Sequence, residues 1–66
     1  MQLTVNGQMQ LCDDDTTLLD YLQGIGVNVE AVVVEWNRVI VKSEDFERTV
    51  LNNGDELEIL QFVGGG

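Results

Sequence analysis

A chain of 66 residues has room for one small domain, and a fold this short buries only about 60% of the surface its unfolded chain exposes, which leaves no depth for an enclosed catalytic cleft. Twelve acidic residues against three basic ones, Arg38, Lys42 and Arg48, give a formal charge of −9, which repels nucleic acid and anionic membrane surfaces and favours capture by a protein with a basic face. A patterned hydrophobic content of 44% argues for a folded globule, while a single cysteine excludes a disulfide framework and the lack of histidine removes the usual zinc-site patterns.

The first twelve residues alternate polar and apolar from Gln2 onward. They have neither a charged n-region nor an apolar h-region, so the sequence predicts no signal peptide, no membrane span and a reducing, cytoplasmic location. QLTVNGQMQLC reads as a β-hairpin, with Leu3 and Val5 in one strand, Met9 and Leu11 in the other, and Asn6-Gly7 as the turn because both residues tolerate positive φ. In DDDTTLLDYLQGIG the period changes, and Leu18, Leu22 and Ile25 share one helical face. Thr17 is the expected N-cap with Asp20 three residues on, and Gly24 or Gly26 is the expected left-handed stop. Asp13-Asp14-Asp15 lacks the spacing of a calcium loop and reads as carboxylates before a helix N-terminus. Gly24-Ile25-Gly26 follows a helix and lacks a third glycine, so it is no nucleotide loop. Cys12 has no basic neighbour in sequence and reads as a small apolar filler, and Tyr21 and Trp36 read as packing residues.

AVVVEWNRVIVK predicts a second hairpin turning at Asn37-Arg38, although arginine is a poorer turn residue than glycine. SEDFERTVLNNGDE is polar, with one short helical turn around Phe46 and a turn at Asn53-Gly54-Asp55. ELEILQFV closes the order β-β-α-β-β-β, in which a right-handed crossover sets a later strand parallel to an early one under a single helix. If Leu57 and Ile59 face that helix, then Glu56, Glu58, Leu60 and Phe62 lie on the opposite face. Two large apolar groups beside two carboxylates form the anatomy of a protein contact.

The chain ends on Gly64, Gly65 and Gly66, directly after a strand. Frayed ends and cloning scars also leave glycines, but such linkers commonly carry serine. From Val63 onward the thread can reach roughly 13 Å past the sheet and present its carboxylate in a narrow pocket. An ionised carboxylate is a poor electrophile until it is activated, and reaction with ATP to an acyl-adenylate is the general route. The chain would then be the substrate of a partner that supplies the nucleotide site, the metal and the transition-state stabilisation.

Taken together, the Asn6-Gly7 hairpin, the helix start from Thr17 to Leu22, TVLNNGDELEI and the FVGGG end resemble the ThiS family of thiamine-biosynthesis sulfur carriers, which are ubiquitin-like β-grasp proteins. The resemblance spans nearly the whole chain, and it departs at Arg38, where a second hairpin glycine is common, and in the stretch after Gly26. It implies an α+β β-grasp domain over residues 1–63, a mixed sheet of four to five strands with one main helix on one face, and a flexible glycine tail over residues 64–66. Gly65 and Gly66 match the reactive diglycine, and Gly64 lengthens the thread. An adenylating enzyme of the ThiF type, using ATP and magnesium, would convert the Gly66 carboxylate to an acyl-adenylate. Sulfur from a cysteine-desulfurase relay would then give a thiocarboxylate for a ThiG-type thiazole synthase. The last strand would lie inside the sheet, with Glu58, Leu60, Phe62 and Val63 as partner-binding residues, and the chain itself would bind no cofactor or metal and would not be an enzyme. The rival readings are the small subunit of molybdopterin synthase, a lysine-conjugated ubiquitin-like modifier, and an interaction domain with an inert tail.

Overall fold

The computed structural model describes residues 1–62. Its elements run β1 (Gln2–Val5), β2 (Gln8–Leu11), α1 (Leu18–Gly24), a 3-10 turn at Val29–Ala31, β3 (Val32–Trp36), β4 (Val39–Val41), a 3-10 segment at Ser43–Arg48, and β5 (Glu56–Gln61). The five strands form one mixed sheet in the order β2-β1-β5-β3-β4, with β1 and β5 parallel and the other pairs antiparallel. The parallel β1–β5 pair needs a crossover connection, and the helix between the two hairpins lies within that connection.

One face of the sheet is covered. Leu3 of β1, Val34 of β3 and Leu57 of β5 meet Leu18 and Leu22 of α1, and Phe46 and Leu51 close the remaining side. Each of these seven side chains is 2% exposed or less. The predicted helix start holds, since Thr17 Oγ1 accepts from the Asp20 N–H at 3.1 Å and answers one of the donors that a helix N-terminus leaves open. The helix stop is Gly26, whose φ of 82° is the left-handed conformation glycine adopts without strain. Ile25 departs from the expected buried face. Helical geometry ends at Gly24, so Ile25 becomes the C-cap residue, and it is 47% exposed.

The second hairpin turns at Asn37-Arg38 with φ of 50° and 71°, so Arg38 accepts a conformation that disfavours a Cβ. The turn is held from outside. Asn37 donates its N–H to Glu56 O at 2.8 Å, and its Oδ1 accepts from the Glu56 N–H at 2.9 Å. Its Nδ2 donates to Asp55 Oδ1 at 3.1 Å. Gly54, at φ 89°, turns the chain into β5. The half-buried Cys12 packs against the core, as a filler would.

Candidate functional site

Directly paired strand residues share a face, so the sheet registers define the side that no helix covers. Thr4 pairs with Met9 on one side and Glu56 on the other; Glu58 pairs with Glu35, which pairs with Ile40; Leu60 pairs with Val33. Met9, Ile40 and Leu60 are 65%, 66% and 61% exposed, which makes this face apolar and open to solvent. A shallow groove crosses it, bordered by Asn6, Val33, Glu35, Glu58, Ile59 and Leu60.

The residues expected to contact a partner fall into two groups. Glu58 and Leu60 lie together on the open face, and Phe62, one residue past β5, keeps the same parity and is 56% exposed. Leu57 is fully buried and Ile59 half-buried on the helix side, so the alternation in ELEILQF is the alternation of the two faces. Val63, Gly64, Gly65 and Gly66 lie outside the described residues.

Three features of this region escape a reading of the strands one by one. Glu35 lies directly opposite Glu58, a like-charge pair that weakens the sheet slightly. Only the β3–β5 register brings the two carboxylates together, and this places a second acid beside Leu60. Asn6 is the second feature: its Oδ1 accepts from the Ile59 N–H at 2.7 Å and its Nδ2 donates to Ile59 O at 3.2 Å.

The third is Asp55, 8% exposed at the mouth of β5. It accepts from Trp36 Nε1 at 2.8 Å, Asn37 Nδ2 at 3.1 Å and the Asn52 N–H at 2.7 Å. Burial alone would push its carboxyl pKa up. The hydrogen bonds from Trp36, Asn37 and Asn52 outweigh that and hold it below the ordinary value. Trp36 therefore packs and donates at once. A second groove, between Cys12 and Tyr21, holds a tyrosine whose hydroxyl pKa is raised by burial and, to a smaller extent, by Cys12. Among the described residues no cluster of three or more His, Cys, Asp or Glu could hold a metal ion, and no helix is long and apolar enough to cross a membrane.

β5 is thus a central strand flanked on both edges, with an apolar and acidic face near its end. The model of the ThiS family matches residues 3–66, the glycines included. The chain belongs to the ThiS family. The sulfur carrier protein ThiS of Bacillus subtilis is 35% identical over 65 residues, covering 97% of this chain and 98% of that one. The crystal structure of the thiamine biosynthesis protein ThiS from Geobacter metallireducens superposes with a TM-score of 0.84 at 35% identity over the full length of both chains. The fold is thus the ubiquitin-like β-grasp of that family. A different kind of relative is the thiazole synthase of Magnetococcus marinus, 35% identical over all 66 residues of this chain. This ThiS-family chain spans about a fifth of the length of the thiazole synthases it matches, 20% in that case.

Proposed function

We propose that the chain is a sulfur carrier of thiamine biosynthesis that acts as a co-substrate of partner enzymes. The observation that carries the reading is the family match running through to Gly66, on a chain whose central strand leads into the glycines. In the first step the Gly66 carboxylate attacks the α-phosphorus of ATP on an adenylating partner, which supplies the magnesium, and pyrophosphate leaves. The terminal sulfur of a persulfide delivered by a cysteine-desulfurase relay then attacks the acyl carbon and AMP departs; a second thiol of the relay cleaves the resulting acyl disulfide, forming a disulfide on the relay and leaving a thiocarboxylate on Gly66. Glycine suits this chemistry because no side chain crowds the carbonyl. Thiazole synthase is the proposed acceptor. Support for that step comes from the Magnetococcus protein, which carries a region similar to this chain within a thiazole synthase.

The domain behind the tail holds and addresses it. Leu60, Phe62 and the Glu35–Glu58 pair give an apolar contact with an acidic component, which suits a partner surface of apolar and basic side chains. Val63 and the glycines would then run into the partner's active site. The test is intact-mass analysis after incubation with an adenylating enzyme, ATP, magnesium and a sulfur donor. One oxygen at Gly66 should be exchanged for sulfur. A chain left unchanged under conditions that fully convert the Bacillus carrier would refute the proposal, and an isopeptide-linked conjugate stable to denaturant would point to a protein modifier instead.

A further inference from the structure

The two hairpin turns share a feature that neither requires as a turn. Each begins with an asparagine at a φ of 50°, Asn6 and Asn37, and each asparagine turns its carboxamide onto β5, one from either edge. Asn37 acts at Glu56, where the strand begins. Asn6 acts at Ile59, near the end of the strand, and meets both polar groups of that residue. Its carboxamide presents an acceptor and a donor much as a peptide unit would, and so extends the β1–β5 pairing past its last backbone register, Val5 with Leu57.

Beyond Ile59 the two edges of β5 differ. On the β3 side the pairing continues through Val32 with Gln61, and the Phe62 N–H donates to Ala31 O at 2.9 Å. On the β1 side Asn6 is the last partner among the described residues. A strand held along one edge alone can swing about that edge, and the point where the second edge lets go sets how much of it swings. The same carboxamide borders the groove formed with Val33, Glu35, Glu58 and Leu60, so it lies within the face proposed for docking.

We infer that Asn6 is a positioning residue for the carboxyl-terminal segment: its carboxamide, seated on both polar groups of Ile59, fixes the direction in which the chain leaves the sheet. A segment aimed before the partner arrives needs less ordering during activation, and this raises the rate without adding a contact. The consequence for activation rests on the carrier reading above, whereas the structural part rests on the geometry alone.

Asn6→Gly removes the carboxamide while glycine takes the positive φ of the turn without strain. Two modest hydrogen bonds, each worth a factor of a few, predict an exchange rate at the Ile59 amide about tenfold higher in this variant. Amide exchange at Leu57 and Val34 should stay as in the wild type. The single-turnover rate of Gly66 adenylation, measured at saturating adenylating enzyme, should fall by about tenfold. Asn6→Asp keeps the acceptor for the Ile59 N–H but sets a carboxylate against Ile59 O, and it should show a smaller loss in rate than Asn6→Gly. Wild-type adenylation rates in both variants would overturn the inference. So would an exchange increase spread equally over Leu57, Val34 and Ile59, which would mark a merely structural role. If the wild-type chain is not adenylated at all, the carrier reading fails, and the contrast in exchange between Ile59 and Leu57 decides the structural part by itself.

Discussion

Asp55→Ala removes a carboxylate that three donors share at the base of the tail-bearing strand. The Trp36 indole N–H, the Asn37 amide and the Asn52 N–H lose their acceptor together, and the site is nearly closed to water, with Asp55 8% exposed. At about 1 kcal/mol for each orphaned donor, and more where the acceptor was charged, the loss is about 2–4 kcal/mol. A domain of this length is stable by only about 3–10 kcal/mol, so the loss takes a large part of its total stability. The midpoint of a circular-dichroism melt at neutral pH should fall by about 8–32 °C, using about 4–8 °C per kcal/mol for small domains. The pH dependence gives an independent check. Burial raises the Asp55 pKa and the hydrogen bonds from Trp36, Asn37 and Asn52 lower it further than burial raises it, so the folded value lies below the unfolded one. A depressed carboxyl contributes stability above its unfolded pKa of about 3.9 and loses it as the pH falls through the folded pKa. The gap between wild type and Asp55→Ala should therefore be full near neutrality and should narrow only below about pH 4. A midpoint change of less than about 3 °C at neutral pH, or a gap as wide at about pH 2 as at about pH 7, would refute the reasoning.

Phe62→Asp and Leu60→Ser should each change stability by less than about 0.5 kcal/mol, because both side chains are already in water, while calorimetric binding to the adenylating enzyme weakens at least about tenfold. Glu58→Gln should raise stability by about 0.2–1 kcal/mol, by relieving its repulsion with Glu35, yet slow association with a basic partner; denaturant melts and stopped-flow rates at low salt should move in opposite directions. Arg38→Gly should stabilise the second hairpin by about 0.5–1 kcal/mol, because φ of 71° suits glycine, and a lower urea midpoint would contradict this. Deleting Gly65 and Gly66 should leave the thermal midpoint of the domain unchanged and abolish thiocarboxylate formation in the mass assay, since the core from Leu3 to Leu57 is complete without them.

Local rules were enough wherever one short segment contains its own reason to fold. Asn6-Gly7 makes a turn between any two alternating strands, Thr17 caps the helix that follows it, and ELEILQF sorts Leu57 from Glu58 and Leu60 by parity alone. The same parity placed Glu58 and Leu60 on the open face of β5, and the family motif at the glycines is what led to the carboxyl end as the proposed reactive group. Local rules failed at Ile25, where a helical period was extended one residue past the point at which the backbone leaves the helix. They were silent on the roles of Asp55, Glu35 and the carboxamide of Asn6, which, apart from the Asn52 N–H three residues from Asp55, depend on partners 18 to 53 residues away in sequence. Hydrophobic periodicity reports which face a side chain takes, because each strand or helix buries its own apolar side. It carries nothing about which polar group of one segment lies within hydrogen-bonding distance of another. That is decided only when β5 slides between β1 and β3 in one register, and there a shift of a single residue would turn Leu57 out to solvent and move Ile59 away from Asn6.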